Sequence, residues 1–134
     1  MSHDHEPGSL AEFRAFRERM NAEILDEGNL VVNRFFNLDA RAYEAGALDV
    51  RTKELLGLVA SLVLRCDDCV TYHLVRCAEE KLTRAAVFET LAIGLVVGGS
   101  ITIPHLRRAV ARWDELEGRG PGTAARKAAD GDSA

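Results

Sequence analysis

Between Val50 and Arg65 the chain carries Leu55, Leu56, Leu58, Val59, Leu62, Val63 and Leu64. In a helix these apolar residues fall on nearly every side, so the segment predicts a helix buried all round and a fold that surrounds it. Helical signals recur on both flanks. Ser9-Leu10-Ala11-Glu12 reads as a capping box, in which Ser9 and Glu12 satisfy free backbone N–H groups. The helix that follows sets Phe13, Phe16, Met20 and Ile24 on one face, expected to be buried, and stops at Gly28. A second helical stretch spans about Leu30 to Ala45, with a candidate break at Asn37-Leu38-Asp39, and ends at Gly46. Asp49 can cap the third helix, and a fourth opens near Cys66 and continues to about Lys81.

Thr83 can cap a fifth helix bearing Phe88, Leu91, Ala92, Leu95 and Val96 up to Gly98-Gly99. Ser100 or Thr102 then caps a last helix, with Pro104 in its first turn, that runs through Trp113 to Gly118. No strand, repeat or second domain is visible. The expectation is an all-α, single-domain bundle of about six helices over 9–117, between a flexible N-terminus (1–8) and a disordered tail (118–134) rich in Gly, Ala and charge.

A chain of 134 residues buries enough surface to fold without disulfide staples. Its three cysteines, two of them clustered, do not form the dispersed framework of a small secreted protein, and a CxxC in a reducing compartment is catalytic or metal-binding. The N-terminus is acidic and lacks the apolar run of a signal peptide, and the runs Leu55 to Leu64 and Leu91 to Val97 fall short of the roughly 20 residues that span a bilayer. A soluble, cytoplasmic protein without a membrane partner is expected. The net charge of −4, with arginines alternating with acids, offers no surplus for a phosphate backbone, so nucleic acid is not expected as a partner.

The chemistry concentrates in Arg65-Cys66-Asp67-Asp68-Cys69-Val70-Thr71-Tyr72-His73. Residues three and four apart share a helix face, so Cys66 and Cys69 can approach each other while His73 reaches back toward the Cys69 sulfur. Such a pair, with a base beside it, can cycle between dithiol and disulfide. The bland reading, two cysteines acting as small hydrophobes, fits poorly with Asp67 and Asp68 between them, because charge places this turn at a helix end or surface. Cys66 is best placed to feel a helix N-terminus, whereas the two aspartates oppose a thiolate, which calls for a base such as His73. His73 is otherwise a histidine satisfied by backbone or water.

Glu54 can meet His73, nineteen residues on, only if the chain doubles back near Cys66; the alternative is an acid that favours the first-turn dipole. Zinc is the competing chemistry, with Cys66, Cys69 and His73 joined by Glu54, Cys77 or His105, but only one ligand knuckle is present. Cys77 shares the helical face of the motif yet lies three turns from Cys66, too far to bridge to it, and is read as a buried core residue. His3 and His5 carry no assigned function.

The pattern of Glu54, Cys66-x-x-Cys69-x-x-x-His73 and the block Gly98-Gly99-Ser100-Ile101-Thr102-Ile103-Pro104-His105-Leu106-Arg107-Arg108 resembles the carboxymuconolactone decarboxylase family in its alkylhydroperoxidase D-like branch. The likeness extends from about Phe13 to Leu116. It implies an all-helical fold, assembly into homotrimers or homohexamers, and a thiol-dependent peroxidase with catalytic residues Glu54, Cys66, Cys69 and His73. In that scheme Glu54 and His73 relay a proton to activate Cys69, Cys66 is its disulfide partner, and no cofactor or metal is needed. The implied partners are a small-molecule peroxide and an external dithiol reductant of lipoyl or thioredoxin-like type. Family members that decarboxylate the muconolactone generally lack this CxxC, which makes a lyase the runner-up. A thiol-disulfide oxidoreductase or redox sensor without peroxide turnover is the further alternative. The chain is shorter than two-repeat alkylhydroperoxidase D proteins, holds Asp67-Asp68 inside the motif and adds Cys77.

Overall fold

Each of the first five helices begins where a side chain takes up a free backbone N–H. A computed structural model describes residues 8–119; most of the segments expected to be flexible or disordered, with His3 and His5, lie outside the described residues. Ser9 accepts from the Glu12 N–H at 3.1 Å to open α1 (Leu10–Asp26), and Asn29 does the same from Val32 for α2 (Leu30–Ala42). Asp49 accepts from Thr52 at 2.7 Å to open α3 (Val50–Val63), as expected. Cys66 opens α4 (Asp67–Glu79) through its sulfur, and Thr83 opens α5 (Arg84–Gly98). A 3-10 turn, Ser100–Thr102, then leads into α6 (Ile103–Leu116). The described residues are all-α and form one helical bundle.

α3 packs against both α4 and α5, and α4 also packs against α6. The core is made where these four meet: Leu58 and Leu62 of α3, Val70, Leu74 and Cys77 of α4, Val87 and Leu91 of α5, Ala109 and Trp113 of α6. Cys77 is thus the buried small residue its sequence context suggests. α1 is held on this core at its start, where Glu115 accepts from the Leu10 N–H at 2.6 Å and Arg112 donates to the Gly8 carbonyl at 2.7 Å.

The turn from α3 to α4 fixes the register of the hairpin. Arg65 adopts a left-handed conformation (φ +59°), its N–H bonds back to the Leu62 carbonyl, and the Cys66 N–H bonds to the Ser61 carbonyl. These two bonds form a Schellman closure of α3 whose last residue is already the cap of α4. Lys81, also left-handed, closes α4 in the same way through Lys81 and Leu82.

Several sequence expectations are corrected. α3 is not covered all round: Leu56 and, just past its end, Leu64 (77% exposed) face outward. Nor does α1 bury the whole of its predicted face: Phe13 and Met20 are half-buried, but Phe16 is 61% exposed and Ile24 is open, because the helix is fastened at its start and at Arg17, which stacks on Tyr72, and not along its far end. α2 runs through Asn37-Leu38-Asp39 without a break and stops at Ala42, short of Gly46; those polar residues are exposed, so their side chains face water instead of competing for the backbone. Only the Ser9 half of the capping box forms. Neither Ser100 nor Thr102 caps α6 by side chain; the Thr102 hydroxyl donates to the Gly99 carbonyl instead. Gly118 belongs to the helix closure of α6 (φ +71°) and not to the tail.

Candidate active site

Because α3 and α4 form an antiparallel hairpin, Glu54 near the start of one faces His73 in the middle of the other. Glu54 Oε2 lies 2.9 Å from His73 Nδ1, and both side chains are buried. Arg76, one turn beyond His73, approaches the other carboxylate oxygen at 3.4 Å and also pairs with Glu79 and Glu80. A buried carboxylate needs such partners on both oxygens. Glu54 as a carboxylate can only accept, so His73 Nδ1 donates, and the neutral ring keeps Nε2 as an acceptor.

That acceptor is not turned to a sulfur. Tyr43 Oη lies 3.3 Å from His73 Nε2 and donates to it, and the two rings pack with centroids 5.2 Å apart. The sequence expectation that His73 reaches back to Cys69 is therefore corrected, since both ring nitrogens are taken by Glu54 and Tyr43. Tyr43 was not legible as a site residue: it sits thirty positions from His73, just past α2, in no motif. Lys53, the neighbour of Glu54, holds it there by donating to the Ala42 and Glu44 carbonyls at 3.0 and 2.6 Å. Burial raises the Tyr43 phenol above its usual value, as do the charges of Asp39, Glu54, Tyr72 and Cys69, so the hydroxyl keeps its proton.

The sulfurs lie at the start of α4. Cys66 Sγ accepts from the Cys69 N–H at 3.5 Å, the place an N-cap serine oxygen would take, so this sulfur faces the positive end of the helix. Cys69 is exposed and Cys66 half-buried. The Cys69 thiol is pushed up to about 11, first by its hydrogen bond to Cys66, then by burial, the Cys66 charge, Asp68 and Asp39. It holds its proton at neutral pH and needs a base to release it.

The sequence profile of the carboxymuconolactone decarboxylase family matches residues 29–112. This chain belongs to the carboxymuconolactone decarboxylase family. Its fold is similar to crystal structures of the family protein TM1620 from Thermotoga maritima, at 57% identity and a TM-score of 0.77, over 79% of this chain and 93% of that one. TM1620 is described as a candidate for the antioxidative response. Apo-lpg0406 of Legionella pneumophila, a family member at 24% identity, has the same fold with a TM-score of 0.73 over 79% of this chain and 95% of that one. Among curated sequences, an uncharacterised protein of Cupriavidus necator is 32% identical over 75 residues, 56% of this chain and 66% of its own length.

Two further residues fix the motif of this family member. Asp67, between the cysteines, is held by α6: His105 Nδ1 lies 2.7 Å from one oxygen and Arg108 Nε donates to the other at 2.8 Å. His105 thus goes to Asp67, and among the described residues no three of His, Cys, Asp and Glu converge as a metal site. Gly57 makes the other allowance. A Cβ there would come within 2.5–2.8 Å of three His73 ring atoms, so only glycine lets the imidazole lie against α3.

Two predictions follow from this geometry. Gly57→Ala should leave the helix content of the protein intact but lose about 1–3 kcal/mol of stability and displace His73 from Glu54, measured by urea unfolding and by the imidazole NMR resonances. Cys66→Ala removes the hydrogen bond that does most to hold the Cys69 proton, so the Cys69 pKa should fall from about 11 towards the ordinary 9.0. The thiolate fraction at any pH below that range then rises, about tenfold per unit of fall, and site-resolved alkylation would measure it.

Proposed function

We propose that this protein is a thiol-dependent peroxidase that reduces hydroperoxides through the Cys66–Cys69 dithiol. The observation that carries the reading is the pairing of two thiols at the start of α4 with a buried Glu54–His73 acid–base pair on the same hairpin. The family of the chain and the antioxidative candidacy of its Thermotoga relative support it. Cys69, the exposed thiol, meets the peroxide. Its thiolate attacks the terminal peroxide oxygen, the O–O bond breaks, and the leaving alkoxide takes the proton held at His73, giving an alcohol and a Cys69 sulfenic acid. Cys66 then displaces water from that sulfur to form the disulfide. An external dithiol of lipoyl or thioredoxin-like type returns both cysteines to thiols, being oxidised to its own disulfide. No cofactor enters this cycle.

The dithiol argues for redox chemistry over the decarboxylation in the family name. Hydroperoxide consumption that depends on added dithiol tests the proposal. Cys69→Ser should abolish turnover, while Cys66→Ser should allow one oxidation and leave a sulfenic acid on Cys69 that a dimedone-type probe traps. Probe label on Cys66 in Cys69→Ser, with none on Cys69 in Cys66→Ser, would reverse the two roles. A reduced protein that is oxidised by disulfides but never by peroxide would instead be an oxidoreductase or sensor.

We also propose that the protein works as a homotrimer or homohexamer. Leu30, Val31, Phe35 and Leu38 on α2, and Ile93, Val96 and Val97 on α5, are all more than half exposed. That is far more apolar surface than an isolated small domain leaves in water. Sedimentation equilibrium at micromolar protein should give a trimer or larger, and a monomer there would sink this proposal. No helix among the described residues is long and apolar enough to cross a membrane.

A further inference from the structure

We propose that the end of α2 is a latch on the acid–base pair: Tyr43 shuts the one ring nitrogen of His73 that can exchange a proton, and Lys53 holds Tyr43 in place. The use to which the opened imidazole is put rests on the dithiol reading above; the latch itself does not. Nδ1 is committed to Glu54 at 2.9 Å inside the hairpin, so a proton can enter or leave the ring only at Nε2. The Tyr43 hydroxyl sits on that atom at 3.3 Å. Burial and the neighbouring charges raise the phenol above its ordinary value, so it stays a donor on the lone pair. A thiol or hydroperoxide that is to give its proton to His73 must therefore first take the place of the hydroxyl.

The walls around the ring differ in how firmly they stand. Gly57 of α3 lies so close that a Cβ would come within 2.5–2.8 Å of three ring atoms, and Tyr72 of α4 packs edge-on at 5.1 Å with the Arg17 guanidinium 3.9 Å from the centre of its own ring. Both belong to helices that build the core. Tyr43 ends α2, a helix with no buried residue, and its bond to Nε2 is the longer of the two on the imidazole. What keeps it there comes from α3: the Lys53 ammonium donates to the carbonyls of Ala42 and Glu44, on either side of Tyr43, at 3.0 and 2.6 Å. Carbonyls in the last turn of a helix lack intrahelical partners and the dipole there favours a cation, so Lys53 closes α2 from a neighbouring helix. Lys53 directly precedes Glu54, which puts the pin of the latch and the carboxylate partner of His73 on one turn of α3. The pin lies at the surface, where water competes for the ammonium, so the latch can open without disturbing the buried pair. An opened Nε2 accepts from an O–H or S–H donor, which a hydroperoxide and a thiol both supply.

The test reads the imidazole itself, in the reduced full-length protein at neutral pH. Carbethoxylation by diethylpyrocarbonate needs the free lone pair of a neutral imidazole, and peptide mass spectrometry follows it at His73 with His105 as the internal reference. Lys53→Met should raise the His73 rate about tenfold or more, the worth of a lost hydrogen bond to a charged group, and leave that of His105 unchanged. Lys53→Arg, which can donate to the same carbonyls, should bring the rate back to that of the parent. Tyr43→Phe should raise it as well, and nitrogen-resolved NMR of that variant should show Nε2 at the resonance of an unbonded lone pair while Nδ1–H keeps its bond to Glu54. In Lys53→Met the Nε2 signal should move part of the way in the same direction, a signature that general loosening of the fold does not give, since loosening would move Nδ1 too. A His73 rate unchanged in Lys53→Met, or one that Lys53→Arg fails to restore, overturns the proposal, as does a Tyr43→Phe spectrum in which Nε2 stays put. Hydroperoxide turnover by the parent, measured alongside, keeps the two readings apart: the carbethoxylation pattern without turnover removes the peroxidase and leaves the latch, and turnover without the pattern does the reverse.

Discussion

The interaction on which the rest depends is the contact between Glu54 and His73. A carboxylate almost wholly removed from water is costly unless every oxygen has a partner, and the surroundings are arranged to supply them. His73 takes one oxygen and Arg76 faces the other. The hairpin register is what brings them together: the left-handed Arg65 reverses the chain within three residues, so positions nineteen apart in sequence lie side by side. Gly57 then removes the one side chain that would push the imidazole away. Each of these concessions costs something locally, a non-glycine residue at positive φ and a glycine inside a helix among them. The buried pair gives those departures a common physical reason.

The same hairpin settles the electrostatics of the thiols. Capping α4 with a cysteine puts a sulfur where helices hold partial positive charge, but it also brings Asp67 and Asp68 into the first turn, where they favour the helix and oppose a thiolate. The two aspartates are not equivalent. Asp67 is matched by His105 and Arg108 across the α4–α6 contact, so its charge is spent on fixing the motif. Asp68 has no such match and is among the groups that hold the Cys69 proton in place. The two thiols are therefore unlike each other, with the Cys66 sulfur accepting a backbone hydrogen bond and Cys69 protonated.

Helix starts were the most legible part of the sequence, because a cap is a local interaction between neighbours: Ser9, Asp49, Cys66 and Thr83 all open helices as read. Glycine stops were legible at Gly28 and Gly99, where φ is positive, but the ends at Arg65 and Lys81 were not, since nothing in those side chains signals a left-handed residue. The hairpin that unites Glu54 with His73 could be reasoned from the position of the CxxC. What could not be reasoned was the far side of the imidazole. His105 reaches the site from α6, whose packing is set by the core, and Tyr43 from the end of α2, and no spacing in the sequence records that a tyrosine thirty residues away takes the nitrogen expected for a sulfur. Burial failed for a related reason: periodicity identifies an apolar face but is silent on whether the same chain covers it. α1 and α3 both show faces that it leaves open.

That open surface bears on the site itself. Tyr43 lies at the end of α2, a helix with no buried residue, whose main neighbour within the chain is α1. The hydrogen-bond chain from Glu54 thus terminates on the least supported element of the fold, held to α3 chiefly through Lys53. A bond of 3.3 Å to His73 cannot alone keep a helix end in register against chain entropy, since a neutral hydrogen bond contributes only about 0.5–1.5 kcal/mol. Covering Leu30, Val31, Phe35 and Leu38 would supply more than that, because burying one such side chain is worth about 1.5–3 kcal/mol. On this argument the apolar face of α2 and the geometry at His73 are one problem: whatever surface covers the helix also sets how firmly the tyrosine is held against the imidazole.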